Sequence, residues 1–253
     1  MDLGLKGRKA IVTGGTRGIG RAIAEQFADE GADVAFCARN PEQVAATAKA
    51  LEAKGVKAYG TAIDVADVQA YMDWIKAAAG QLGGLDAFVS NVSAMNSART
   101  VEGWKAGFDL DILSTAMGIE TAVPLLEKSG QGSIVFIAST AGVETAQGPR
   151  PYGAVKAAII NFISGLANEV APKGIRANTV SPGTIYFDDG VWGRRKREAT
   201  ALYEKMLAAN PMGRMGSPQE VANAVVFLCS PRAGFVSGAN LVVDGAMTRR
   251  VQF

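Results

Sequence analysis

Short apolar runs alternate with longer amphipathic stretches along almost the whole chain. The first run, Lys9-Ala-Ile-Val-Thr13, ends at Gly14-Gly15, and apolar residues then recur at helical spacing from about 19 to 30. That is the order strand, glycine turn, helix. The rhythm returns with predicted strands at 34–38, 58–63, 87–91, 133–138 and 177–180 and a last one at 239–243, separated by stretches of helical length and period. Such alternation predicts parallel pairing. Continuous apolar strands, such as Ile134-Val-Phe-Ile-Ala138, suit a sheet buried on both faces. The expected fold class is therefore α/β, a doubly wound, mostly parallel seven-stranded sheet with helices on both faces.

Nothing resembling a Pro- or Ser-rich linker interrupts this pattern, so residues 1–253 are expected to form a single dinucleotide-binding and catalytic domain. The rhythm breaks only at about 184–216. Two glycines, the basic run Arg194-Arg-Lys-Arg197 and a helical segment near 199–209 fall there. An excursion of that length inside an α/β domain is expected to be a substrate lid, with a surface insertion as the alternative. Its residues Tyr186, Phe187, Trp192, Tyr203, Met206 and Met212 suit either an apolar pocket or core and oligomer packing.

Composition narrows the chemistry. With 48% hydrophobic and 20% charged residues the chain can bury a large core, and a net charge of +2 gives no clustered basic field for a nucleic acid or membrane surface. The expected partner is a small molecule. The chain contains no histidine, which excludes Ser-His-Asp hydrolysis and His-based zinc sites. Cys37 and Cys229 lie in apolar contexts without metal-ligand spacing or a disulfide framework, which fits a reducing cytoplasm. Residues 1–9 do not read as a signal peptide, and no apolar stretch is expected to be long enough to span a bilayer.

The turn Thr13-Gly-Gly-Thr-Arg-Gly-Ile-Gly20 joins the first strand to the first helix. Gly14 can take the angles of a sharp turn, while Gly18 and Gly20 leave room for a pyrophosphate at the amides of the helix N-terminus. Thr16, Arg17 and Ile19 share that turn. An acid about 20 residues further on would bind the ribose 2′-hydroxyl of NAD, whereas an arginine suits a 2′-phosphate. The second strand runs into Phe36-Cys-Ala-Arg-Asn40, so Arg39 stands where the acid would be, with Arg17 as a second candidate. NADP(H) is thus favoured over NAD(H).

Tyr152 and Lys156 lie four residues apart at the start of an apolar helical pattern and so share a helix face. An ammonium roughly 4 Å from a phenol, at an effective dielectric of about 20, is worth on the order of 4 kcal/mol, enough to lower the phenol pKa by about two to three. Ser139 follows the strand ending at Ala138, on the side of an open α/β sheet where ligands sit. Its hydroxyl can hydrogen-bond a substrate carbonyl.

These features together resemble the short-chain dehydrogenase/reductase superfamily over nearly the whole chain, including members like the 3-oxoacyl-[acyl-carrier-protein] reductases. The likeness rests on Thr13-Gly-x-x-x-Gly-x-Gly20, Asp64-Val65, Asn91, Ser139, Tyr152-x-x-x-Lys156, Ser181-Pro-Gly183 and Ser237-Gly-Ala-Asn-Leu-Val-Val-Asp-Gly245. It implies a Rossmann-type fold and an oxidoreductase in which hydride passes between NADP(H) and a ketone, aldehyde or secondary alcohol. It further implies that Tyr152 is the general acid/base, Ser139 orients the carbonyl and Lys156 binds the nicotinamide ribose. Asp64 and Asn91 would then line the adenosine side, and Pro182, Gly183 and Thr184 would lie near the nicotinamide. A homotetramer or dimer would assemble on helices at roughly 101–128 and 152–171.

Two positions depart from the family pattern. Ser90-Asn-Val-Ser93 replaces Asn-Asn-Ala-Gly, and Asp111 in Phe108-Asp-Leu-Asp111 replaces the family's active-site Asn. A carboxylate near Lys156 would cancel part of the potential felt by Tyr152 and raise its pKa, unless Asp111 is only a polar helix residue. An NADP(H)-binding sensor or scaffold is the alternative to an enzyme. Within the enzyme class, a 3-oxoacyl thioester and a cyclic or aryl ketone are the competing substrates. The Arg194–Arg197 run could meet an acidic carrier or be a solvated helix face.

Overall fold

The computed structural model describes residues 2–145 and 148–251. Seven strands, β1 (Lys9–Thr13), β2 (Asp33–Ala38), β3 (Ala58–Ala62), β4 (Ala87–Ser90), β5 (Gly132–Ile137), β6 (Ile175–Pro182) and β7 (Asn240–Val243), form one sheet in the order β3-β2-β1-β4-β5-β6-β7. Every adjacent pair is parallel. Because β1 lies between β2 and β4, the connections run outward in opposite directions from it, and a crevice opens at the carboxyl ends of β1 and β4.

Helices α1 (Gly18–Asp29), α2 (Pro41–Glu52), α3 (Val68–Leu82), α4 (Val101–Gly107), α5 (Ser114–Glu127), α6 (Pro151–Val170), α7 (Val191–Glu198), α8 (Thr200–Ala208) and α9 (Pro218–Cys229) complete the chain, with a π-helical turn at Phe108–Leu113. Side chains alternate along each strand and build a separate core on each face of the sheet. Ala10, Val12, Val135 and Ile137 pack with Ile23 and Phe27 of α1 and Val221, Val225 and Val226 of α9. Ile11, Ile134 and Phe136 turn the other way, towards Ile75 of α3, Ile119 and Leu126 of α5, and Ile159 and Ile163 of α6. This double burial explains why the strands read as unbroken apolar runs.

Local signals set the helix ends. Asn40 accepts the Gln43 amide ahead of Pro41 at the head of α2, and Ser217 with Glu220 forms a reciprocal capping box on α9. The predicted strands and first helix lie within one or two residues of the observed ones. The helical stretch expected at 101–128 is interrupted by the π turn, which local spacing does not announce. One expectation is overturned: Pro151–Lys173 is long and apolar enough to cross a membrane by length and composition. That helix is apolar because Val155, Ile159, Ile163, Leu166 and Val170 dock on the sheet.

Candidate active site

The glycine turn closes the carboxyl end of β1. Gly14 has φ +69°, and Gly15 donates its amide to the Cys37 carbonyl of β2 at 3.1 Å. Gly20 permits a contact that any side chain would prevent. A Cβ there would stand 2.2 Å from the Gly14 carbonyl oxygen and 2.5 Å from Asn91 Nδ2. Asn91 in turn ties β4 to β1, donating its backbone amide to the Thr13 hydroxyl oxygen (2.8 Å) and Nδ2 to the Thr13 carbonyl (2.9 Å). The departure at Val92-Ser93 is accommodated: Val92 packs against Gly14 and the core, and Ser93 Oγ accepts the Met95 amide at 3.1 Å.

Around this cradle the structure gathers most residues singled out for a dinucleotide. Arg17 is exposed at the N-cap of α1, and Thr16 Oγ1 donates to Gln43 Oε1 at 3.3 Å. Arg39 follows β2 with 76% of its side chain exposed, and its guanidinium lies 4.0 Å from Asp64, beside buried Val65. Pro182 ends β6, Gly183 abuts Asp244, and Thr184 is buried with Oγ1 4.0 Å from Met247 Sδ. Gly18 and Gly20 keep Cβ atoms off the α1 amides, a setting that suits the pyrophosphate of a dinucleotide, and the exposed guanidinium groups of Arg17 and Arg39 stand beside it.

Ser139, Tyr152 and Lys156 meet beyond β5. Ser139 caps the short 3-10 turn Thr140–Gly142, its Oγ accepting the Ala141 amide at 3.1 Å. That turn packs on the first two turns of α6 because glycines leave both sides bare there. A Cβ on Gly142 would meet the Lys156 backbone at 2.9 Å, and one on Gly153 would meet the Ala141 carbonyl at 2.7 Å. Tyr152 remains partly open to solvent. Burial of its phenol pushes the pKa up to about 12, against a lowering hydrogen bond with Ser139 and with a further rise from the Asp111 charge.

Lys156 is 1% exposed. Its Nζ donates to the Ile137 carbonyl at 3.0 Å, lies 3.1 Å from Asp111 Oδ1, and stands 4.6 Å from the Phe136 ring centroid and 5.7 Å from that of Tyr152. Burial lowers its pKa, and the Asp111 carboxylate raises it. Asp111 is thus buried against Lys156, and its Oδ2 also accepts the Ala94 amide at 3.0 Å. The anchoring by Ile137 and Phe136 was not legible beforehand, since a carbonyl and a ring on an adjoining strand leave no spacing signal.

The segment 184–216 folds on itself. Ile185 bridges to Gly216 at its ends, and α7 and α8 fill the excursion. Tyr186 and Tyr203 meet edge to face with Lys196 over both rings, Arg195 covers Trp192, and Arg197 donates to the Asp188 carbonyl. Three of the four basic side chains are thus engaged inside the segment. Phe187 goes elsewhere: its ring sits on Gly18, within 2.5 Å of where a Cβ would be, and so covers the glycine turn.

A family model described as enoyl-(acyl carrier protein) reductase matches residues 14–248. The chain is 38% identical to isoepoxydon dehydrogenase of Penicillium expansum over 100% of this chain and 99% of that one. It is 32% identical to 3-oxoacyl-[acyl-carrier-protein] reductase of Aquifex aeolicus, over 98% and 100% of the respective chains. L-sorbose reductase from Gluconobacter frateurii, solved with NADPH and L-sorbose, has a TM-score of 0.92 at 32% identity, with 99% and 100% of the two chains covered.

Proposed function

Since the chain belongs to the short-chain dehydrogenase/reductase superfamily and is an oxidoreductase, we propose that it is NADP(H)-dependent and interconverts a small ketone or aldehyde with the corresponding secondary or primary alcohol. The observation that carries this reading is the convergence of Ser139, Tyr152 and Lys156 beyond β5, on the same edge of the sheet as the glycine turn after β1. The nicotinamide, when bound, supplies or accepts the hydride.

The glycine turn and the α1 N-terminus would hold the pyrophosphate, and Arg39 with Arg17 would hold the 2′-phosphate. Asp64, Val65 and Asn91 would face the adenosine side, and Pro182, Gly183 and Thr184 the nicotinamide. Ser139 donates a hydrogen bond to the substrate oxygen, and Tyr152 gives that oxygen its proton in reduction or removes it in oxidation. Lys156, held in place by Ile137 and Asp111, presents its charge to the phenol and to the nicotinamide ribose.

A small ketone is favoured over a carrier-bound thioester because Arg195, Lys196 and Arg197 are spent on contacts within their own segment. The segment at 184–216 acts as the substrate lid of a single domain spanning 1–253. The cytoplasm suits its buried free thiols, Cys37 and Cys229. Exposed Val101, Trp104, Phe108 and Leu113 along α4 and the π turn support assembly as a homodimer or homotetramer.

The test follows NADPH absorbance against a panel of cyclic, aryl and open-chain ketones and an acyl thioester. Substrate-dependent oxidation by the native chain, abolished in Tyr152→Phe while NADPH still binds, is the expected result. NADPH binding without turnover on any carbonyl would leave the sensor or scaffold reading instead.

A further inference from the structure

The π turn carries a carboxylate into the centre of the site. Asp111 is 1% exposed, and its two oxygens face Lys156 Nζ at 3.1 Å and the Ala94 amide at 3.0 Å. A π turn is a rare interruption of a helix and recurs at functional sites. Here it lies between α4 and α5 and brings its one buried residue, Asp111, against α6. The ammonium it faces is the group that would otherwise acidify the phenol one helical turn away.

We propose that Asp111 is a positioning residue that acts through Lys156 to set the pH at which Tyr152 exchanges its proton. The carboxylate holds the Lys156 ammonium in place, and it also cancels much of the positive potential that Lys156 exerts on Tyr152. This rests on the reading of Tyr152 as general acid/base. A catalyst cannot change the ratio of forward to reverse efficiency at a given pH, so the consequence is no preference for one direction. It is a displaced break in both profiles: reduction holds its plateau, and oxidation keeps climbing about tenfold per pH unit, to a more alkaline pH than an unaccompanied lysine would allow.

Few other charges act at this point. Among the described residues, Lys156 on the same helix and Asp111 on the π turn are the charged groups set against the phenol, and Ser139 on the 3-10 turn is its hydrogen-bond partner. On the elements packed against α6, Asp109 of the π turn and Glu102 and Lys105 of α4 are exposed, Lys173 lies beyond the far end of the helix, and Arg176 of β6 donates to the carbonyls of Leu228, Val236 and Ser230. Glu144, beyond the 3-10 turn, accepts the Arg249 amide, and Arg150 precedes the helix at the surface. Burial is the largest cause that raises the Tyr152 pKa, and the Asp111 charge adds to it in the direction the geometry requires.

The experiment records kcat/KM for reduction and oxidation from about pH 6 to about pH 11 for the native enzyme and Asp111→Asn. Asparagine has the shape of aspartate without its charge. Both breaks are expected to move towards acid by about one pH unit or more, a tenfold change in the phenol's acidity. Breaks that stay in place or move towards alkali overturn the proposal, since a merely structural role would lower kcat at every pH and leave the break alone.

A second measurement needs no turnover. Tyrosinate absorbance, taken as the native protein minus Tyr152→Phe, reports the Tyr152 titration directly. The same difference taken in the Asp111→Asn background is expected to show a midpoint about one pH unit or more below the native one, and a midpoint that stays in place or rises refutes the proposal. Because this titration requires no substrate, a chain inactive on every carbonyl would refute the enzymatic reading alone.

Discussion

Replacing Gly20 by alanine tests the cofactor cradle at its tightest point. The added methyl would lie 2.2 Å from the Gly14 carbonyl oxygen. Carbon and carbonyl oxygen settle no closer than about 3.3 Å, so the turn and α1 must part by about 1 Å. Neither side yields freely, because Gly15 is bonded to Cys37 and Asn91 Nδ2 to the Thr13 carbonyl. Forced overpacking of this kind costs about 1–3 kcal/mol, or roughly 2–12 °C in Tm for a domain of this size. The same displacement carries the α1 amides away from the pyrophosphate. NADPH is therefore expected to bind at least about tenfold more weakly, a loss of about 1.4 kcal/mol.

Titration calorimetry and scanning calorimetry read the two effects. Gly165→Ala is the control, since Gly165 lies exposed within α6 with nothing within 4 Å of a new Cβ. It should keep full affinity and gain up to about 1 kcal/mol of stability from helix propensity. A Gly20→Ala protein that binds NADPH like the native one and unfolds at the same temperature would refute the assigned cradle.

Arg39→Ala is expected to lower kcat/KM with NADPH by about ten- to a hundredfold, the worth of a charge-assisted hydrogen bond, and to leave NADH little changed. An unchanged NADPH/NADH ratio would remove Arg39 from cofactor choice. Lys156→Met leaves the Asp111 carboxylate buried without its counter-ion, which costs about 3–5 kcal/mol and lowers Tm by roughly 6–20 °C. Asp111→Asn/Lys156→Met should recover most of that Tm in a calorimetric scan without recovering turnover. A double variant no more stable than the single one would mean that the two charges do not act as a pair.

The family-level site was legible because its parts are local. Gly14, Gly18 and Gly20 sit at fixed offsets after a strand, and Tyr152 and Lys156 share a helix face by the helical period alone. Ser139 was legible as a strand-end residue. Its approach to Tyr152 was not, because that depends on Gly142 and Gly153 letting two distant segments touch. The apolar length of α6 misled for the complementary reason. A helix docked on a sheet over much of its length needs the same composition as one that meets lipid, and only its neighbours tell them apart.

By itself, the order of residues determined the alternation of strand and helix, the glycine turn and the spacing of Tyr152 and Lys156. Each depends on backbone sterics and on burial averaged over near neighbours. The tertiary structure decided the rest: β1 between β2 and β4, Asn91 bonded to Thr13, Phe187 laid on Gly18, and Asp111 against Lys156. Those contacts join residues far apart in the chain. Their energies exist only once whole layers have packed, so no local pattern records them.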